Sequence, residues 1–213
     1  MSKTSRRVLT LTEALGLAGY IAWYIWRLQV GHPLSWIVFP LWLLVSIALH
    51  RDTPRTLGWT ADNLLPATRQ GLKIFVSFVI LVCAAALWFG AYHRFALQLT
   101  QAKRFSGYFA FCLLQQVALN SYLTNRLLYA FEEPRVTAVS AGVIFAAMHW
   151  PNPVLVPLTF LAGTAMSWLF SQERNIIPLA LGQAILGTLV WWAFPAAWHH
   201  GMRVGPGYYS FHP

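Results

Sequence analysis

The chain is poor in charge. Only 10% of its 213 residues are Asp, Glu, Lys or Arg, and just 6 are acidic. An ordinary soluble domain carries roughly 25% charged residues, so this chain cannot clothe a globular surface in water. Cysteine is scarce too. Cys83 and Cys112 both lie inside apolar stretches, which excludes a disulfide scaffold and a cysteine-based metal site. Long basic runs are missing, so the formal charge of +9 is not the footprint of a nucleic-acid partner. No internal repeat supports an inverted-repeat transporter. What the chain has in abundance is apolar and aromatic residues: 57% hydrophobic, with 11 Trp, 14 Phe and 8 Tyr. Disorder is thereby excluded.

The remaining class is an all-α, polytopic transmembrane helical bundle. A span needs about 20 predominantly apolar residues. By that measure the sequence predicts about seven spans, with six to eight as the range: Val8–Trp26, Pro33–Leu49, Leu72–Tyr92, Gly107–Phe131, Val136–Trp150, Val154–Phe170 and Ile176–Trp198. The expected organisation is two N-terminal transmembrane helices over 1–50, a cytoplasmic loop over 51–71, a helical core over 72–198 and a flexible, Gly/Pro-rich tail over 199–213. Basic residues set the orientation. With the N-terminus in the cytoplasm, Arg51, Arg55, Arg126 and Arg174 fall inside with most of the others, while Arg27, Arg94, Lys103, Arg104 and Arg203 fall outside.

Polar side chains at membrane depth are costly and face the protein interior, so they are the first place to look for function. The fourth span reads LLQQVALNSYLTNR. Gln116 and Asn120 are four apart and share a helix face, which Thr124 continues, whereas Gln115 points about 100° away. The fifth span ends IFAAMHWPNP, where Phe145 and His149 stack at i,i+4 and a neutral imidazole can serve as base or ligand. The seventh reads PLALGQAILGTL, with Gln183 one turn before the side-chain-less Gly187, and Gly182 and Thr188 beside them. Gln115, His149 and Gln183 recur at equal intervals of the chain, each matching one span, a turn and a return. The three sets are therefore expected to converge in one intramembrane pocket. The bland alternative is that the amides only hold helices together.

The order of these elements resembles the CAAX-protease and bacteriocin-processing family (CPBP, or Abi) of glutamic-type intramembrane endopeptidases. That family's pattern is Glu-Glu-x-x-x-Arg on one helix, Phe-x-x-x-His on the next, and His-x-x-x-Asn on a later one. Phe145 and His149 match the second motif, and MHWPNP followed by an apolar span with Gly163 looks typical. Gln115 and Gln116 stand where the glutamates would be, Asn120 where the arginine would be, Gln183 at the histidine and Gly187 at the asparagine. Glu132-Glu133 is a second acidic pair, but it lies at a loop and is not taken as catalytic. The resemblance implies catalytic positions at Gln115, Gln116, Asn120, His149 and Gln183, and a substrate pocket including Phe145, Asn152 and Gly187. A glutamine amide cannot act as the general base that a carboxylate is.

The expected function is a catalytically impaired CPBP paralogue that binds a membrane-associated protein or peptide, or assists a partner protease. An active endopeptidase centred on His149 is the alternative, and a non-enzymatic scaffold or transporter subunit a further one. No cofactor and no metal are expected. The expected setting is the bilayer of a bacterial cytoplasmic membrane.

Overall fold

The computed structural model describes residues 2–89 and 99–211, and every described regular element is helical. Seven helices make up the bulk of it. They are α1 (Lys3–Gly31), α2 (Pro33–His50), α3 (Leu64–Trp88), α4 (residues 99–131), α5 (Pro134–Ala147), α6 (Leu155–Gln172) and α7 (Ile176–Ala193). Each predicted span falls on one of them. The Tyr92 end of the third span, and Arg94, lie outside the described residues. By length and composition α1, α2, α3 and α7 are able to cross a membrane, and α5 is a shorter apolar helix. Large apolar side chains face outward on these helices, with Trp88 85% exposed. Only lipid can cover such a surface, and the protein is a helical membrane bundle.

The loop that follows α2 is shorter than expected, because α3 starts at Leu64 and not after residue 71. Arg51, in the left-handed region, ends α2. At the other end of the loop, Asn63 and Asn175 tie its C-terminal side to the α6–α7 turn: Asn175 Nδ2 donates to Asn63 Oδ1 at 3.0 Å and to the Thr60 oxygen at 2.9 Å. Asn175 also caps α7, its Oδ1 accepting from Ile177 N at 3.1 Å. The chain from Ala196 to residue 211, read from the sequence as a loose tail from 199 on, folds into short turns of helix including α8 (Ala196–His199) and α9 (Pro206–Tyr209). Gly205 N donates to the Trp150 oxygen at 3.0 Å, which lays this segment over the α5–α6 connection.

Helix α4 is regular over Leu99–Gln116, widens to π-type winding over Val117–Thr124, and is regular again over Asn125–Phe131. A widened turn leaves carbonyls free for side chains, and Thr124 Oγ1 bonds the Leu119 oxygen five residues back at 2.9 Å. Helices α5 and α6 form the most intimate pair. A Cβ on Gly142 would stand 2.1 Å from Thr164 Oγ1 and 2.8 Å from the Phe160 oxygen, whereas one on Gly163 would meet Phe145 Cδ1 at 3.0 Å. Small residues at such a crossing let backbones touch. The pair carries His149 and the α6 partners of the α4 amides, so this contact positions the site.

Gly142→Ala therefore lowers stability by about 1–3 kcal/mol, because the obstacle includes backbone. Gly163→Ala costs less, because its nearest obstacles, Phe145 Cδ1 at 3.0 Å and Gly142 Cα at 3.2 Å, stand farther off. Thermal unfolding of the two variants in detergent gives the order.

Candidate functional site

Three helices bring the sequence-predicted amides together. Gln115 and Gln116 are adjacent on α4, about 100° apart around it, and Gln183 of α7 enters between them. Gln183 Nε2 donates to Gln115 Oε1 at 2.6 Å, and Gln116 Nε2 donates to Gln183 Oε1 at 2.7 Å. Asn120 Nδ2 then donates to Gln116 Oε1 at 2.5 Å, and Thr124 Oγ1 lies 3.0 Å from both Asn120 Oδ1 and Ser167 Oγ of α6. The result is a directional relay that runs from Asn120 through Gln116 and Gln183 and ends at Gln115, which only accepts. Gln116, Asn120, Thr124 and Ser167 are fully buried. Met166 completes the enclosure, its sulfur 3.0 Å from Gln116 Nε2.

The relay opens at one end. Gln115 and Gln183 reach the wall of a cavity of about 640 Å³, while Gln116 and Asn120 stand behind them. The cavity lies among α1 to α7 and is lined mostly by apolar side chains such as Phe39, Phe78, Val82 and Leu186. Its size and lining suit an organic ligand with few polar groups. The Nε2 group of Gln115 has no acceptor among the described residues, which leaves an N–H donor on a residue of the cavity wall.

His149 lines the same cavity from just beyond α5. Its Nδ1 is 2.7 Å from the Phe145 oxygen, and its ring sits edge-on to Phe145 at 4.7 Å between centroids. A carbonyl only accepts, so Nδ1 carries the proton and Nε2 holds the free lone pair of the neutral ring. His149 makes no hydrogen bond to the relay amides among the described residues. Asn152 lies elsewhere. It is fully buried, donates to the His199 and Arg203 oxygens at 2.8 and 3.0 Å, and accepts from Val154 N and Leu155 N to cap α6. Thr188 is not part of the cavity wall either. Among the described residues no three His, Cys, Asp or Glu side chains form a metal-binding group.

Residues 105–189 match the family described as type II CAAX prenyl endopeptidase Rce1-like. This segment is Rce1-like. The match lies within the CPBP family of the resemblance drawn from the motifs, and it runs from the first turns of α4 through most of α7. Comparison with curated proteins and with solved structures finds no match.

Every relay amide, the cavity wall at Gly187 and His149 fall inside the Rce1-like segment. So does Tyr108, which the motif reading missed. A Cβ on Gly187 would stand 2.1 Å from Tyr108 Oη, so the phenol occupies the space of the side chain that Gly187 lacks. Tyr108 lines the cavity and precedes Gln115 by two helical turns, which places both on one face of α4. That seven-residue interval was the available signal. Glu132 and Glu133 are occupied elsewhere, Glu132 by Lys3 and Arg7, and Glu133 by capping α5 at Val136 N.

A second polar group was also invisible to motif reading. Glu13 of α1 accepts from Ser46 and sits 2.8 Å from His50 Nε2, 3.3 Å from Tyr122 Oη and 3.6 Å from Arg126 Nε. Arg126 also reaches Asp52 at 2.6 Å. These contacts fasten α1 and α2 to the end of α4.

The relay couples Gln116 to Gln183 through one hydrogen bond. Gln116→Glu turns the donor facing Gln183 Oε1 into an acceptor, and two acceptors then oppose each other. The expected loss is about 1–3 kcal/mol. Adding Gln183→His supplies a donor again and recovers part of it. A melting-temperature cycle over the two single variants and the double measures the coupling.

Proposed function

We propose that this membrane protein is a CPBP-type binding protein with little or no peptidase activity, and that its cavity takes an apolar segment of a membrane-associated protein or peptide. The observation that carries this reading is the continuous relay of Gln115, Gln183, Gln116 and Asn120. Hydrolysis by a glutamic mechanism needs a carboxylate that accepts a proton from water. The relay has none, and a glutamine amide has no proton to exchange near neutral pH. Its amide groups are already engaged with one another, apart from the Gln115 N–H group at the cavity. That donor suits a backbone carbonyl of a bound segment, and the apolar wall suits its side chains or an attached chain of hydrocarbon. Tyr108 adds a hydroxyl near the same end.

A second reading rests on His149. His149 lines the cavity with Nδ1 held by the Phe145 oxygen, which leaves Nε2 as the nitrogen with a free lone pair, a tautomer that suits a general base. This supports a peptidase centred on one histidine, without a carboxylate to orient the water.

Purified protein in detergent is incubated with fluorescent peptides bearing apolar or prenylated C-termini. The expected result is binding without cleavage, with Gln115→Ala weakening binding and leaving the fold intact. Combined Gln115→Glu, Gln116→Glu and Gln183→His is expected to raise cleavage from background. Cleavage by the unaltered protein that disappears in His149→Ala overturns the first reading in favour of the second.

A further inference from the structure

We propose that a second, polar cavity near the ends of α2 and α4 holds the phosphate group of an acidic phospholipid. This cavity, about 430 Å³, is lined by His50, Asp52, Thr56, Asn125, Arg126, Leu128, Tyr129, Glu132 and Arg174. It lies apart from the apolar cavity and shares no lining residue with it.

The charges in and around it do not cancel. Asp52 is taken by Arg126 at 2.6 Å, and Glu13 by His50 and Arg126. Glu132 is taken by Lys3 and Arg7. Arg174 has no carboxylate within ion-pair distance among the described residues. Its Nη1 donates only to neutral oxygens, those of Thr56 at 3.0 Å and of the Asn125 side chain. Its guanidinium also stands 5.8 Å from the Phe170 ring. The Nε and Nη2 groups make no hydrogen bond among the described residues, so two N–H faces of a fixed cation remain for a ligand. Thr56 and Asn125 hold that cation in place, and Asn125 is itself held by the Thr56 and Ser121 oxygens at 2.8 Å. A guanidinium so fixed suits the oxygens of a phosphate.

The surroundings favour a lipid as the source. The cavity opens at helix ends, beside exposed Arg51, Arg55 and Arg135, which attract an anionic membrane surface. Leu49, 74% exposed, and Tyr129, 44% exposed, flank it with apolar surface for acyl chains. Basic pockets between helices at such a boundary bind acidic headgroups. The carboxylates on the wall would repel a phosphate only if they were unpaired, and each has its own cation.

The test uses the full chain in detergent, titrated with phosphatidylglycerol, phosphatidylcholine or inorganic phosphate, with bound lipid read by native mass spectrometry and stability by thermal shift. Phosphatidylglycerol is expected to bind and stabilise, and phosphatidylcholine not. Arg174→Gln weakens phosphatidylglycerol binding about fivefold, Arg174→Lys retains most of it, and Arg27→Gln, at an exposed arginine that lines neither cavity, leaves it unchanged. Should Arg174→Gln fail to fold, Glu132→Gln gives the opposite sign, releasing Lys3 and Arg7 from their carboxylate and tightening binding. Equal binding of the two lipids, or phosphatidylglycerol binding indifferent to both Arg174→Gln and Glu132→Gln, overturns the site. Equal stabilisation by inorganic phosphate overturns the lipid assignment.

Discussion

An amide at membrane depth must be answered by another polar group of the protein, because hydrocarbon offers no partner. The relay from Gln115 to Ser167 is built on that constraint. Its members come from α4, α6 and α7, so satisfying one side chain draws three helices to a common point. The widened turn over Val117–Thr124 belongs to the same arrangement, since it frees the Leu119 oxygen for Thr124 and brings Thr124 to Ser167. The close crossing of α5 and α6 at Gly142 and Gly163 sets where Ser167 and Met166 stand. The polar centre and the glycine contact are thus parts of one packing solution.

The bundle keeps its two polar regions chemically distinct. The relay is neutral, and neutrality suits the interior, where an unpaired carboxylate costs several kcal/mol. Charged groups gather instead toward the ends of α2 and α4, where Glu13, Asp52 and Arg126 pair with one another and with His50. Carboxylates in place of Gln115 and Gln116 would need a donor such as imidazole at position 183 to balance them. With glutamine at all three positions the same shape is satisfied without charge. These amides offer hydrogen bonds but no tunable proton.

His149 is the exception. It sits outside the relay, fixed by a backbone oxygen, on the wall of a largely apolar cavity. The cavity thus meets two kinds of polar edge: an N–H donor from Gln115 and a lone pair from His149. A segment lying between them finds one group for its carbonyls and another for its N–H groups, and this pairing underlies the binding role proposed above.

Much of the architecture was legible in the sequence. Apolar runs of span length placed seven helices, because the backbone in lipid has almost no alternative to a helix. Buried amides marked α4 and α7, and Phe145 with His149 marked the end of α5. The start of α3 at Leu64 was less legible, because helix propensity and loop composition compete there and the link of Asn63 to Asn175 decides it. The ordering of residues 199–211 was hidden for a similar reason, since its partners are backbone groups at 150–152. By itself the sequence determined the class of fold and the residue types able to meet in the interior, through hydropathy and amide content. Only the tertiary structure decided that Gln183 enters between Gln115 and Gln116, that Tyr108 fills the space at Gly187, and that Asn152 caps a helix away from the cavity wall. Those outcomes depend on the rotation and depth of one helix against another, which packing contacts distant in the chain set together.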